Sequence, residues 1–284
     1  MSLPPITVYR AAEGFFAQRG EDCFRLAEPR LDTLFQQENP ARWLHDQLAT
    51  ATPMLRPEKL LAPIESQEVW AAGVTYLRSR DARMEESKDA GGGTFYDRVY
   101  DAARPEIFFK ATPHRVVGTG ASMRLRADAK WNVPEPELTL FINSRGKIQG
   151  YTVGNDMSSR SIEGENALYL PQAKVYERSA AIGPCLFIPE TPIAATTVIH
   201  MTIQRDGKEV YTGEVPISQI KRSLTELAGW LFREMDFVSG AYLMTGTCLV
   251  PPNDFTLQEK DRVDIRIDGI GVLTNHVFYK PART

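Results

Sequence analysis

Three acidic residues, Glu135, Glu137 and Asp156, have the types and spacing that point most directly to chemistry in this sequence. All three lie in the stretch 133–156, where two apolar-rich runs flank a polar turn and predict a β-hairpin. Side chains on a strand alternate between its two faces, so the two glutamates share a face. If the second strand brings the aspartate to that face, three carboxylates converge on one spot.

The register of this hairpin decides whether the aspartate joins the glutamates. Pairing the first and last residues of the turn 143–146 sets Glu135 opposite Gly154 and Val133 opposite Asp156. In that register Asp156 shares the face of the glutamates and lies near Glu135. We therefore expect a cluster of three carboxylates, provided that no β-bulge moves the register.

A cluster of this kind needs compensation for its charge. Two like charges ~4 Å apart repel by about 4 kcal/mol at an effective dielectric constant near 20. Raised pKa values, nearby lysine or arginine side chains, or a bound cation can offset that repulsion. Oxygen-only ligands suit a hard divalent ion, so we expect Mg²⁺, with Mn²⁺ or Ca²⁺ as alternatives. The competing interpretation is a solvated acidic edge, since most glutamates are exposed.

The composition excludes several classes of protein. The 284 residues include 33 Lys+Arg and 36 Asp+Glu, giving a net charge of −3, which is not the basic footprint of a nucleic-acid-binding protein. No apolar run is long enough for a transmembrane helix, and the N-terminus lacks the pattern of a secretory signal. Cys23, Cys185 and Cys248 are widely separated, which is typical of buried thiols in a reducing compartment, although a catalytic cysteine is an alternative. We therefore expect a cytoplasmic protein.

The elements that must position the cluster are mostly strands. The sequence predicts a strand over 6–10 and a helix after Asn39-Pro40. Prolines then punctuate the chain up to Pro63, so we predict a small N-terminal domain or arm over 1–65 and a catalytic domain over 66–284. Strand-like runs with glycine-marked turns dominate from residue 197 onward. The expected fold class is mixed α+β and β-dominated.

One segment of the predicted catalytic domain has the composition of a lid. The glycines 91–93 could serve as a hinge between two short helices. Arg78, Arg80 and Arg83 precede this hinge and could hold an acidic substrate. The alternatives are an ordinary flexible loop and arginines that pair with acidic neighbours on a solvated helix.

Several motifs together resemble the fumarylacetoacetate hydrolase family from about residue 69 to residue 277. They are AGVTY, PEIFFK, the EPE of 135–137, GYTVGNDMSSR, QAKVYERSAAIGP, the TGT of 245–247 and DGIGVLTNHV. The resemblance implies a β-roll core in a homodimer or homotetramer. It also implies that Glu135, Glu137 and Asp156 bind Mg²⁺, Mn²⁺ or Ca²⁺, which are the residues that the strand pattern had already selected.

The same resemblance assigns roles to five further residues. Lys174 and Glu106 match the family's catalytic lysine and glutamate, and Ser79, Arg160 and Thr247 match positions that contact substrate. A lysine buried beside an acidic cluster also suits a general base on physical grounds. For Arg160 the alternative is an ion pair that braces the cluster, and for Thr247 it is a hydroxyl that stabilises a turn.

The chain departs from the hydrolytic members of the family at one point. They usually carry a histidine and a glutamate after the first core strand, where this chain has Ser79 and Ala82. A hydrolytic water would therefore lack its usual general base. The segments GVTYLRSRDARMEES and SSRSIEGENALYLPQAKVYERSAAIGP are instead similar to those of the family's 2-keto-3-deoxy-D-arabinonate dehydratases.

That similarity implies a dehydratase acting on a small sugar acid. Its substrate, a 2-keto-3-deoxy acid, would lose its C4 hydroxyl after a metal-stabilised enolate forms, giving 2-oxoglutarate semialdehyde. Lys174 would be the base and Glu106 the acid, or the roles would be reversed. The alternatives are an acylpyruvate or β-diketone hydrolase or decarboxylase of the same family, and an inactive, metal-stabilised binding protein.

Overall fold

The protein is seen in a computed structural model that describes residues 3–28, 30–76 and 98–280. Within these ranges strands outweigh helices, and the larger of the sheets has eleven strands. These are β1 (Ile6–Ala11), β2 (Gly14–Arg19), β3 (Asp22–Arg25), β4 (Pro53–Met54), β5 (Glu68–Gly73), β6 (Glu106–Ala111), β7 (Val116–Val117), β10 (Pro136–Ile142), β11 (Ile148–Asp156), β13 (Ala180–Ile188) and β16 (Ala241–Met244).

The other strands of the described ranges form a five-stranded sheet and a short ribbon. The five-stranded sheet contains β8 (Ser122–Leu125), β14 (Val198–Arg205), β15 (Lys208–Pro216), β17 (Arg262–Ile267) and β18 (Gly271–Tyr279). The ribbon pairs β9 (Asn132–Val133) with β12 (Ser158–Ser159). The α-helices whose full extent is described are α1 (Leu31–Phe35), α2 (Pro40–Leu48), α3 (Arg160–Glu165), α4 (Leu170–Lys174) and α5 (Leu224–Leu231), and residues 98–101 are helical as well.

The order of the strands places the hairpin of the acidic residues inside the larger sheet. That order is β4-β3-β2-β1-β13-β11-β10-β16-β5-β6, with β7 beside β13. The five-stranded sheet runs β15-β14-β17-β18-β8. The expectation of a mixed, β-dominated fold is confirmed. None of the helices in the described ranges is both long and apolar enough to cross a membrane.

The larger sheet separates two apolar cores. On β10, Leu138 and Leu140 belong to a core shared with the five-stranded sheet, whereas Phe141 belongs to a second core with helices α1 and α2. Because side chains alternate along a strand, Glu137 lies on the same face as Phe141. The acidic cluster therefore occupies the sheet face that the second core covers further along the strand.

Local signals in the sequence explain where several elements begin and turn. Asn39 caps α2 by accepting the Arg42 amide at 2.9 Å, with Pro40 at the first helical position. Asp206 and Gly207 join β14 to β15 with φ angles of 51° and 76°, as a tight hairpin turn of this dipeptide requires. The start of α2 confirms the predicted helix after Asn39-Pro40.

The segment predicted as a small N-terminal domain or arm contains β1 to β4 and both α1 and α2. Strand β1 pairs with β13 in antiparallel fashion, with Ile6 opposite Ile188, so this segment extends the larger sheet. The division into 1–65 and 66–284 stays a prediction. The glycines 91–93 and the three arginines before them lie outside the described residues, as does the lid they were expected to form.

The predicted register of the central hairpin is wrong by two residues. Glu137 lies opposite Gly154, so the pairing continues with Glu135 opposite Asp156, whose amide donates to the Glu135 carbonyl at 2.9 Å. One residue of this shift arises from the longer turn, and the other arises from an irregularity in the pairing between Phe141 and Ile142. A shift of two residues keeps every side chain on its original face, because the repeat along a strand is two.

The turn itself is longer than the sequence analysis assumed. The Asn143 amide donates to the Lys147 carbonyl, and the Gly146 amide donates to the Asn143 carbonyl, both at 2.9 Å. Gly146 has φ of 73°, which suits glycine. The Asn143 side-chain oxygen accepts from the amides of Arg145 and Lys147. The turn is therefore closed by residues 143 and 147.

Gly154→Ala tests how tightly the hairpin is packed. A Cβ at this position would overlap the Thr139 hydroxyl on the neighbouring strand, so we expect a loss of about 1–3 kcal/mol in the free energy of unfolding. The measurement is chemical denaturation followed by circular dichroism. Gly229→Ala in α5 is the matched control, because a Cβ there meets open space and should stabilise the helix by up to about 1 kcal/mol. Equal effects of the two variants would contradict the packing described here.

Candidate metal centre and active site

The three predicted acidic residues converge in the structure. Glu135, Glu137 and Asp156 are 4%, 1% and 1% exposed, and each offers a carboxylate oxygen within 4.8 Å of the others. Within the described part of the chain, this is the one group of three or more metal-ligating side chains gathered so closely. The alternative interpretation, a solvated acidic edge, is therefore wrong for these three residues.

Lys174, at the C-terminal end of α4, reaches into the acidic cluster. Its Nζ donates to Glu135 Oε2 at 2.6 Å and to Asp156 Oδ2 at 3.0 Å. The side chain is fully buried, and its amine lies over the ring of Phe108, 5.7 Å from the centroid. The structure therefore brings the predicted catalytic lysine together with two of the predicted metal ligands.

A second lysine, which the sequence analysis missed, balances the aspartate from the other side. Lys110 on β6 is fully buried, and its Nζ lies 2.6 Å from Asp156 Oδ1. Burial lowers the pKa of Lys110, and the negative charge of Asp156 works in the opposite direction. Both oxygens of Asp156 are therefore paired with lysine amines.

Arg160, the first residue of α3, supplies a third positive charge. Its Nη2 donates to Glu135 Oε1 at 3.0 Å, with the side chain 2% exposed, and its guanidinium stacks over Trp131 with 5.8 Å to the ring centroid. This ion pair is the bracing contact that the sequence analysis named as an alternative. A contact between Arg160 and substrate stays a prediction.

Glu137 is the carboxylate that these cations compensate least. Its Oε2 accepts the Gly246 amide at 2.6 Å. Burial raises the pKa of Glu137 well above its usual value, and the charges of Asp156 and Glu135 raise it further, with Lys174 opposing them. Gly246 has φ of 95°, and a Cβ there would overlap the Thr75 hydroxyl, so this position requires glycine.

The donor set fits a hard divalent cation. All the candidate ligands are carboxylate oxygens, and two oxygens on opposite sides of a Mg²⁺ lie about 4.2 Å apart, from a bond length of about 2.1 Å. The observed spread of 4.8 Å thus needs only a small movement of the side chains. A cation beside Glu137 would also offset the repulsion that raises the pKa of this carboxyl.

The predicted acid, Glu106, lies at the start of β6, opposite Gly73 on β5. Its carboxylate covers Gly73 so closely that a Cβ on this glycine would overlap it. Gly73 and Phe108 line the same small pocket as the acidic cluster. Glu106 and Phe108 alternate along β6 and so share one face, and Lys110 follows at an irregularity in the pairing with β5. The period-two pattern in the motif EIFFK was the signal that could have identified Phe108.

The remaining walls of the pocket come from two turns. Thr247 lies beside Gly246 and donates its hydroxyl to the Leu249 carbonyl at 3.4 Å, which is the turn-stabilising contact that the sequence analysis considered. Val74 has φ of 53°, a strained conformation for a β-branched residue that is often found at functional sites. The predicted substrate contact Ser79, like Ala82, lies outside the described residues. The full set of lining residues is Ala72, Gly73, Val74, Phe108, Glu135, Glu137, Asp156, Arg160, Lys174, Gly246 and Thr247.

The three cysteines take no part in this pocket. All three are buried and form no disulfide. Burial raises the pKa of Cys185 to about 12, so its thiol is protonated and poorly nucleophilic near neutral pH. The pocket's chemistry therefore rests on carboxylates and lysines.

Removal of one carboxylate tests the metal centre without any assay of activity. Mg²⁺ should raise the unfolding temperature of the wild-type protein, since a ligand at 100 times its dissociation constant stabilises by about 2.7 kcal/mol. Asp156→Asn should lose this response, because a neutral amide is a weaker ligand for a hard cation. The measurement is thermal unfolding with and without Mg²⁺. Glu209→Gln, an exposed site on β15, should keep the full response; a full response in Asp156→Asn would remove this residue from the metal centre.

Comparison with known proteins identifies the family of this chain. The family profile described as fumarylacetoacetate (FAA) hydrolase C-terminal matches residues 69–278. The chain is 51% identical over 216 residues to a probable 2-keto-3-deoxyxylonate dehydratase of Haloferax volcanii, a match covering 76% of this chain and 73% of the relative. It is 41% identical over 221 residues to the 2-dehydro-3-deoxy-D-arabinonate dehydratase of Saccharolobus solfataricus, covering 77% and 74% of the two chains.

Solved structures give the same result over nearly the whole chain. One, a 2-keto-3-deoxy-D-arabinonate dehydratase complexed with magnesium and 2,5-dioxopentanoate, has a TM-score of 0.83 and 31% sequence identity, covering 98% of this chain and 100% of that chain. A second structure, a hexagonal crystal form of 2-keto-3-deoxyarabinonate dehydratase, has a TM-score of 0.85 and 32% sequence identity to this chain. The fold expected from the sequence motifs is confirmed. The chain belongs to the fumarylacetoacetate hydrolase family.

Proposed function

We propose that this protein is a Mg²⁺-dependent dehydratase of a 2-keto-3-deoxy sugar acid, converting 2-keto-3-deoxy-D-arabinonate to 2-oxoglutarate semialdehyde. Two relatives at 51% and 41% identity carry dehydratase names, and a related structure holds magnesium with 2,5-dioxopentanoate, the same compound as the semialdehyde. The observation that carries the proposal is the Lys174 amine, which lies between two carboxylates of a buried oxygen-ligand cluster.

The proposed metal ligands are Glu135, Glu137 and Asp156, and the proposed ion is Mg²⁺, with Mn²⁺ or Ca²⁺ able to use the same oxygens. When bound, a divalent cation supplies positive charge that polarises the C2 carbonyl of a 2-keto acid and makes its C3 proton more acidic. Arg160 keeps the Glu135 carboxylate oriented through its ion pair of 3.0 Å. The fully buried surroundings exclude bulk water and strengthen these electrostatic interactions.

Lys174 is proposed as the base that removes the C3 proton, and Glu106 as the acid that protonates the leaving C4 hydroxyl. The amine lies among the proposed metal ligands. The Glu106 carboxylate covers Gly73, which lines the same pocket. Loss of H₂O then leaves an unsaturated alcohol whose tautomerisation gives the aldehyde, so no second water is consumed.

Substrate contacts are proposed for Ser79, Arg160 and Thr247. Thr247 lies in the pocket wall, and Arg160 borders the same space. A guanidinium provides forked donors that suit a carboxylate. The substrate is expected to be a small sugar acid, with neither nucleic acid nor membrane as a partner.

A cytoplasmic homodimer or homotetramer is proposed as the working form of the protein. The free, buried cysteines suit a reducing compartment. The oligomer is supported by the family resemblance, and size-exclusion chromatography with light scattering would measure it.

A panel of substrates tests the reaction directly. The purified protein with Mg²⁺ should convert 2-keto-3-deoxy-pentonates to 2-oxoglutarate semialdehyde, followed by NMR, and should not cleave acylpyruvates. Acylpyruvate cleavage without dehydration would favour a hydrolase or decarboxylase. Binding of Mg²⁺ without turnover of any member of the panel would favour a binding protein.

Lys174→Met tests the proposed base. Loss of the amine should lower kcat by about 100-fold or more and should slow exchange of the C3 protons of the keto acid into deuterated water by a similar factor. The measurement is ¹H NMR of the substrate in D₂O with saturating Mg²⁺. An unchanged exchange rate would exclude Lys174 as the base.

Glu106→Gln separates the acid from the base. It should slow dehydration by about 100-fold while C3 exchange continues, because proton removal does not require the departure of the hydroxyl. Dehydration and exchange are measured in the same NMR experiment. If exchange stops in Glu106→Gln and continues in Lys174→Met, the two roles are reversed.

A further inference from the structure

Lys110 has a bonding pattern that sets it apart from the proposed catalytic groups. It is fully buried, and its amine lies 2.6 Å from Asp156 Oδ1 while it donates to the Met157 carbonyl at 2.9 Å and the Lys174 carbonyl at 2.5 Å. An ammonium group has three N–H donors. The two carbonyls take two of them, and the charge of the group faces Asp156 Oδ1 as an ion pair.

The three acceptors belong to the two segments that carry the proposed chemistry. Asp156 is the last residue of β11 and Met157 follows it, and Lys174 is the last residue of α4. One ammonium therefore ties the aspartate ligand to the backbone of the proposed base. The Lys174 carbonyl also accepts the Ser179 hydroxyl at 2.9 Å, so two side chains hold this helix end.

The contact with the Lys174 carbonyl has a clear physical value. The last carbonyls of a helix lack partners within the helix, and a positive charge there is favourable because of the helix dipole. The short helix α4 has five residues, too few for its own hydrogen bonds to fix its end firmly. Contacts from β6 and from the serine therefore set where the Lys174 side chain begins.

The pairing with Asp156 acts on the metal centre. With Oδ1 2.6 Å from the Lys110 ammonium, rotation of the carboxylate about its side-chain bond would separate a buried ion pair. Partners of this kind orient metal ligands, and their loss commonly weakens metal binding. A buried ion pair is weak evidence for stability alone, so the orientation of the carboxylate is the more informative role.

We propose that Lys110 is a positioning residue that holds the Asp156 ligand and the Lys174 base in the relative geometry that metal binding and proton transfer need. Its effect on the base rests on the proposed function, whereas its effect on the metal ligand does not. Lys110 is not among the described residues that line the pocket, so it acts through the other two residues.

Lys110→Met removes the ammonium and keeps an unbranched side chain of similar length. We expect the dissociation constant for Mg²⁺, from titration calorimetry, to rise by about 10- to 100-fold. At saturating Mg²⁺ we expect kcat to fall by about 10- to 100-fold and KM for the keto acid to change by less than about threefold. The matched control is Lys208→Met at an exposed site on β15, which should leave all three constants unchanged.

A role confined to charge balance predicts a different pattern. Loss of a positive charge near the ion would then leave Mg²⁺ binding unchanged or tighter, with an unchanged kcat per folded molecule, and this result would overturn the proposal. If Lys110→Met does not fold, Lys110→Gln keeps neutral N–H donors and is judged by the same direction of change in Mg²⁺ affinity. A wild-type protein that binds Mg²⁺ but does not dehydrate would refute the proposed function, and the Mg²⁺ comparison would still decide the role of Lys110.

Discussion

The structure depends on the burial of three carboxylates that would repel one another without compensation. Glu135, Glu137 and Asp156 are at most 4% exposed, so water cannot screen them, and the ionised forms survive only beside positive charge. Lys174 and Lys110 approach Asp156 from opposite oxygens. The carboxylate whose pKa stays raised, Glu137, is the one left with a backbone amide and no adjacent ammonium among its described contacts. Of the three carboxylates, Glu137 would therefore be stabilised most in its ionised form by a further positive charge nearby.

The positions of these charges are set by a sheet that has a different apolar core on each face. Leu138 and Leu140 of β10 pack toward the five-stranded sheet, while Phe141 packs toward α1 and α2. A strand with both faces buried cannot slip by one residue without exchanging them. The acidic residues share their face with Phe141, so the same packing that fixes the cores also holds the carboxylates together. The packing that stabilises the sheet therefore also sets the geometry of the site.

The cluster was predictable from the sequence because side chains repeat every two residues along a strand, even though the predicted register was wrong. The hairpin pairs Glu135 with Asp156 rather than with Gly154, and yet the convergence holds, since two added residues restore the original face. The turn at 143–147 and the irregularity beside Phe141 depend on local hydrogen bonds and packing that alternation of residue types does not encode. The shared face of the acidic residues and their convergence were predictable from the two-residue repeat of a strand, whereas the register was not.

Contacts between distant segments mark the limit of prediction from alternation alone. Lys110 meets Met157 and Lys174 across 47 and 64 residues of sequence, and Arg160 meets Glu135 across 25. No local pattern specifies such pairs, although the alternation of Glu106 and Phe108 does specify that these two share a face. The order of the strands supplies the missing information: β5 and β6 lie at the edge of the larger sheet that adjoins β16 and β10.

The same charge arrangement bears on why elimination suits this pocket better than hydrolysis. Hydrolysis needs a bound water with its own base, and Ser79 and Ala82 stand at the two positions where the family resemblance predicts that base in hydrolytic members. Elimination needs one group to take a proton and another to give one, and the water is made rather than supplied. The proposed base and acid, Lys174 and Glu106, lie in and beside a pocket whose lining carboxylates are almost inaccessible to solvent. This burial is consistent with dehydration, because nothing in the proposed reaction requires solvent to reach the keto acid.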